Sequence, residues 1–155
     1  MNVIIDFATP ADLPAMADLL HALFTLEYDF QPERDKQLAG LRLILDNPAI
    51  GRLFVLRIDG CVAGMANALI TVSTAQGAPV LLLEDVIVSA AYRGDGHGRR
   101  LVEHVVDWAR EQGMARVTLL ADQSNTPALA FYERLGFEKS AMAVRRKQLW
   151  LAGAT

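Results

Sequence analysis

The chain has 155 residues, 52% of them apolar and 21% charged, with a formal net charge of −3. That is enough for one domain with a real core, and the acidic balance excludes a broad electrostatic footprint for nucleic acid. No apolar run approaches the roughly 18 residues that cross a bilayer.

The opening Met1–Asp6 stretch lacks a basic region leading into a long apolar one, so no signal peptide is expected. The lone cysteine, Cys61, has no disulfide partner in the chain, which fits a reducing cytoplasm. No repeat, linker or low-complexity tract divides residues 1–155, and a single domain is expected.

In chain order, Val3 to Phe7 alternates weakly and predicts a strand. Thr9-Pro10-Ala11-Asp12 predicts a helix start: Thr9 caps, Pro10 suits the first helical position, and Asp12 lies three residues on at the positive helix end. Leu13, Met16, Ala17, Leu20, Leu23 and Phe24 continue it at amphipathic spacing to about Leu26. Glu27 to Arg34 reads as a loop with Pro32 and the carboxylates Glu27, Asp29 and Glu33. A second helix is predicted from about Glu33 to Leu45, ending before Asn47-Pro48. Arg52 to Ile58 and Cys61 to Ser73 are expected strands, joined by the two-residue hairpin signal Asp59-Gly60. After Gln76-Gly77-Ala78-Pro79, Val80 to Val88 completes an antiparallel meander.

The pattern then changes. Leu101, Val102, Val105, Val106 and Ala109 recur at helical spacing up to Gly113, and Arg116 to Ala121 is a short buried strand. Asn125 to Leu135 is a helix with Pro127 in its first turn and Gly136 as its stop. Phe137 through Arg145 to Trp150 is expected to add one or two final strands, with Arg145, Arg146 and Lys147 as solvated strand charge. The order predicts a mixed α/β fold, a mostly antiparallel central sheet flanked by helices, with a cleft where its strands splay.

The richest stretch runs from Glu84 to Leu101: a strand, a turn, a glycine-rich loop and an amphipathic helix. Gly94, Gly96 and Gly98 let the backbone fold tightly and approach a ligand. The helix behind them offers unpaired N–H groups and the positive end of its dipole, a geometry that binds phosphate. Arg93 and Arg99 add charge at its mouth, with Arg100 alongside. A dinucleotide fingerprint fails, because counting from Gly94 puts Arg99 where its last glycine belongs. A P-loop fails too, because Gly98 is followed by Arg99-Arg100 in place of Lys-Ser/Thr.

Arg93-Gly94-Asp95-Gly96-His97-Gly98 resembles the R/Q-x-x-G-x-G/A pyrophosphate motif of the GNAT superfamily of N-acetyltransferases. Asn125 through Phe137 is similar to that family's second motif, N-x-x-A-x-x-x-Y-x-x-x-G-F, and the two stand in the family's order with a strand between them. The likeness covers Val80 to Phe137 by motif and the remainder by element order. One departure is His97, where the family usually carries an aliphatic residue; it either packs near the helix start or lends a supporting contact to phosphate.

The resemblance implies acetyl-CoA as cosubstrate. Val86, Ile87 and Val88 would pair through their backbone with the pantetheine arm, and the amides of Arg93, Gly94, Asp95, Gly96, His97 and Gly98 would hold the pyrophosphate, with Arg99 beside them. Asn125 would hydrogen-bond the pantetheine region and Tyr132 would face the thioester sulfur. Seven residues apart, these two lie on one helical face.

Acyl transfer to an amine needs a neutral nucleophile, a polarised carbonyl and a protonated leaving thiolate. Glu84 is the candidate base, directly or through water, and Tyr132 the candidate acid, while a backbone N–H near Val86 would polarise the carbonyl. Asp85 points away from Glu84 in a regular strand, and a bulge would reverse the two. Cys61, opening a strand with no histidine nearby in sequence, is read as a small hydrophobe and not as a nucleophile. His21 and His104 lack metal-ligand spacing, so no metal is assigned.

Leu83-Glu84-Asp85-Val86 followed by Tyr92-Arg93-Gly94 is similar to the matching segment of spermidine/spermine acetyltransferases. With Glu27, Asp29, Glu33 and Asp35 on the substrate side of that family's layout, a small cationic amine or polyamine acceptor is expected. Amino-sugar, amino-acid and protein lysine or N-terminal acceptors stay open. So does a non-catalytic acyl-CoA-binding regulatory module. A nucleotide-binding protein is a third reading, one that predicts binding of nucleotides lacking the pantetheine arm. The family's habit of pairing through late strands implies a homodimer, which Trp150 and Leu151 would suit.

Overall fold

The structure is a computed structural model that describes residues 1–26 and 33–149. Glu27 and Asp29, Trp150 and Leu151 lie outside the described residues. The chain divides into two compact units, Met1–Asp122 and Gln123–Thr155.

The first unit is built on a five-stranded sheet in the order β1-β2-β3-β4-β5. Its strands are β1 (Val3–Phe7), β2 (Gly51–Ile58), β3 (Cys61–Ser73), β4 (Ala78–Val88) and β5 (Val117–Leu119). The first four pair antiparallel, and β5 joins β4 in parallel. The expected meander is present, and its hairpin has the backbone the sequence demands: Asp59 and Gly60 take φ of 49° and 82°.

Three helices cover the sheet: α1 (Leu13–Leu26), α2 (Arg34–Leu45) and α3 (His97–Glu111). Leu53 and Val55 of β2 are buried in one cluster with Leu13, Met16, Leu20 and Leu41 from α1 and α2. Phe54 between them meets Trp108 and His104 of α3, with ring centroids 5.4 and 5.8 Å away. Successive strand residues point to opposite faces, so α1 and α2 cover one side of the sheet and α3 the other.

The start of α1 is stronger than its sequence suggests. A 3-10 turn, Pro10–Asp12, leads into it, and the Asp12 carboxylate accepts from the Thr9 backbone N at 2.8 Å. Arg57 of β2 then grips the same carboxylate with two nitrogens at 2.8 and 2.7 Å. That hydrogen bonding, chiefly from Arg57, holds Asp12 below the ordinary carboxylate value. The helix is thereby clamped to the sheet.

In the second unit, α4 (Thr126–Arg134) begins where Asn125 Oδ1 accepts from the Ala128 N at 3.2 Å. It ends at Gly136, whose φ of 92° lets the Phe137 N return to the Tyr132 carbonyl at 3.0 Å. The final strands expected from Phe137 onward are absent among the described residues, where 137–149 join no ladder. A strand requires a hydrogen-bonded neighbour, and the order of elements along the chain cannot supply one by itself; residues 138–149 are exposed.

Candidate active site

Two features of β4 separate it from a regular strand. Its parallel ladder with β5 ends at Leu83↔Leu119, yet β4 continues to Val88. Glu84, Asp85, Val86, Ile87 and Val88 therefore have no β5 partner, and the sheet opens there. On the other edge, β3 steps from Met65 to Asn67 while β4 steps from Ile87 to Glu84. The extra residue on β4 is a β-bulge, and Asp85 within it takes a φ of 54°, a left-handed conformation that aspartate tolerates better than most residues.

The bulge decides where the two carboxylates sit. Asn67 pairs with Leu53 on β2 and with Glu84 on β4, and directly opposed residues share a face. Leu53 lies in the α1–α2 core, so Asn67 and Glu84 face that layer. Asn67 Nδ2 also donates to Asp85 Oδ2 at 3.1 Å. Both carboxyls thus belong to the α1–α2 side, where a regular strand would have sent Asp85 the other way. Loss of surrounding water pushes the Asp85 carboxyl above its ordinary value, and the Asn67 amide partly opposes this.

Beyond β4, a 3-10 turn (Ala90–Tyr92) leads into the glycine loop. Gly94 and Gly96 take φ of 91° and 80°, so two left-handed turns deliver the chain to α3. The first main-chain bond back to the loop is Arg100 N to Gly96 O at 3.1 Å, and no side chain caps this helix. The amides of His97, Gly98 and Arg99 precede that bond and have no intrahelical acceptor. Together with the exposed residues Gly94 to Gly96, they form a cradle of N–H groups at the positive end of a 15-residue helix, while the Arg93 N–H turns back to the Ala90 carbonyl at 3.5 Å. That donor set fits a diphosphate.

The side chains around the cradle have other duties. Arg93 Nε donates to the Val88 carbonyl at 2.9 Å, and Arg99 pairs along the helix with Glu103 at 2.7 Å. Asp95 is exposed. His97 is buried, 4% exposed, on the stripe it shares with Leu101 and Val105, and neither ring nitrogen has a partner among the described residues. On α2, Glu33 pairs with Lys36 at 2.7 Å, and Asp35 is exposed.

In the second unit, the Asn125 oxygen is engaged in capping, which leaves its amide nitrogen as the group able to meet a ligand. Tyr132 lies edge-on to Phe131 and Phe137, with centroids 5.1 and 5.8 Å away. Sequence reasoning missed Asn67. The available signal was a single amide in the otherwise apolar run from Val62 to Ile70. Among the described residues no group of three or more His, Cys, Asp or Glu side chains is placed to hold a metal, and no helix is long and apolar enough to cross a membrane.

Comparison with known proteins agrees with this geometry. The chain is similar to a streptothricin acetyltransferase of Streptomyces lavendulae, 39% identical over 90 residues, which is 57% of this chain and 46% of that relative. The chain spans about half the length of the curated relatives it matches. Among solved structures, an acetyltransferase from Trypanosoma brucei is 26% identical with a TM-score of 0.75, over 95% of this chain and 100% of that one. A transcriptional regulator from Bacillus halodurans C-125 is also 26% identical, with a TM-score of 0.81 over 95% and 100% of the two chains. The family pattern described as the acetyltransferase (GNAT) family matches residues 13–137. With that match over most of its length, the chain belongs to the GNAT acetyltransferase family.

Proposed function

We propose that the protein is an acetyl-CoA-dependent N-acetyltransferase acting on a primary amine, with both substrates bound together. The observation that carries this reading is the uncapped start of α3 behind two left-handed glycines, next to a strand that outruns its parallel neighbour. The cradle from Arg93 to Arg99 takes the diphosphate, and the open edge of Val86, Ile87 and Val88 takes the pantetheine arm, with Asn125 assisting. Residues 1–155 work as one domain in this scheme.

Glu84 removes a proton from the acceptor ammonium, directly or through water. The amine nitrogen then bonds to the acetyl carbon, and the carbon–sulfur bond breaks. Tyr132 donates its proton to the departing thiolate and regains one, through solvent, as the newly acylated nitrogen sheds its second proton to leave the neutral amide; a backbone N–H near Val86 polarises the carbonyl. The bulge supports Glu84 and Asp85 as neighbours on one face, which suits a cationic acceptor. Glu27 and Asp29 are proposed to extend that acidic character. No metal takes part in this scheme. A free, exposed Cys61 thiol suits a cytoplasmic location, and a homodimer is the proposed assembly.

The test is calorimetry with acetyl-CoA, followed by thiol release with a panel of amines that includes spermidine, an amino sugar and a lysine peptide. Amine-dependent thiol release is expected; no heat with saturating acetyl-CoA would end this reading. A second reading, a regulatory acyl-CoA-binding module, is favoured by the likeness to the Bacillus halodurans regulator. It predicts heat without amine-dependent thiol release.

A further inference from the structure

Asn67 is 5% exposed and sits in a strand whose neighbours on either side are Ala66 and Ala68. Its Oδ1 is buried without a hydrogen-bond partner among the described residues. A buried acceptor left unmatched costs on the order of 1–3 kcal/mol, which an apolar residue would avoid. The amide nitrogen explains why the cost is tolerated. A carboxylate only accepts hydrogen bonds, so the donor end of the amide must face Asp85, and it does, at 3.1 Å. Asp85 in turn is held in a left-handed backbone at the bulge. Its Oδ2 is engaged by Asn67, and that bond does not involve its Oδ1.

We propose that Asn67 is a positioning residue for the acceptor: it fixes one oxygen of Asp85, so that the other receives an N–H of a cationic amine entering from the α1–α2 side next to Glu84. The two carboxyls then divide the work. Asp85 binds and orients the cation, and Glu84 takes the proton. The acceptor class this selects is an alkylammonium, whose N–H groups satisfy a partly buried carboxylate that has only one amide of its own. The inference rests on the acyl-transfer reading above.

The experiment uses the full chain, saturating acetyl-CoA and spermidine as the cationic probe. Asn67→Leu is expected to raise KM for spermidine about tenfold while changing kcat less than about threefold, with acetyl-CoA affinity by calorimetry unchanged. Asp85→Asn is expected to raise KM at least as much. In the Asp85→Asn background, Asn67→Leu is expected to add almost nothing, because its effect passes through Asp85. Additive effects on KM would show that Asn67 does not act through Asp85, and loss of acetyl-CoA affinity and kcat together with KM would show a merely structural role; either result overturns the proposal. Should Asn67→Leu fail to fold, Asn67→Ala, which also removes the donor to Asp85 with less added bulk, carries the same comparison. Wild-type protein that binds acetyl-CoA but neither binds nor acetylates spermidine overturns the cationic subsite and leaves acyl transfer standing. Absence of acetyl-CoA binding would strike the parent reading instead.

Discussion

Arg93 Nε donates to the carbonyl oxygen of Val88 at 2.9 Å, which ties the first residue of the glycine loop to the last residue of β4. The contact uses the one guanidinium nitrogen nearest the stem and leaves the terminal pair for the loop mouth. A lysine cannot reproduce both functions. Arg93→Lys is therefore expected to weaken acetyl-CoA binding about tenfold, near the lower end for a lost charge-assisted hydrogen bond. Isothermal calorimetry measures it, and equal affinity would show that the loop holds its shape without Arg93.

Gly96 stands just before α3 with φ of 80°, and a Cβ there would meet nothing within 4 Å. Gly96→Ala therefore tests conformation and not crowding. The left-handed conformation costs an alanine about 1–2 kcal/mol, and denaturant unfolding should show a loss of that size.

His97 occupies the buried stripe of α3 with both nitrogens unpartnered among the described residues. An apolar side chain of similar reach would remove that penalty. His97→Leu is expected to stabilise the fold by about 1–3 kcal/mol and to leave acetyl-CoA affinity within about twofold. A marked loss of affinity would instead give the imidazole a role at the phosphates.

Burial raises the Asp85 carboxyl above its ordinary value. Between about 3.8 and that raised value the folded protein binds more protons than the unfolded chain, so stability falls as pH climbs through this window. Asp85→Asn, which tolerates the left-handed backbone, removes that contribution. The variant should unfold at a higher temperature at neutral pH and show a flatter pH dependence across the window, as read by thermal melts at a series of pH values.

Tyr132 carries the proposed proton donation. Tyr132→Phe is expected to lower kcat about a hundredfold or more with acetyl-CoA affinity unchanged. Stopped-assay turnover and calorimetry on one preparation separate the two effects.

Much of the fold was legible because it depends on local rules. Asp59-Gly60 forced a hairpin, Gly136 ended a helix, and the stripe from Leu101 to Ala109 marked the face of α3 that packs on the sheet. The loop between β4 and α3 was legible for the same reason, since its glycines answer to backbone geometry. What the sequence hid is long-range. Arg57 lies 45 residues from Asp12, and no spacing rule joins them. Asn67 and Asp85 are 18 apart and meet only because β4 carries one more residue than β3 across their shared ladder. That insertion is invisible until the register is known, and it turned Asp85 to the face opposite from the one regular alternation predicts. The strands expected after Phe137 also turn on a long-range fact: the order of elements left room for them, but a ladder partner among the described residues is absent.

Where β4 runs on past Leu119 of β5, the proposed grip on the acetyl donor uses the peptide groups of Val86 to Val88. Peptide groups are the same whatever residue occupies the position. In the proposed scheme, side chains from Val86 to Val88 are therefore open to substitution while the grip on the acetyl donor survives, so such a scaffold is free to vary along this edge over generations without relearning its coenzyme.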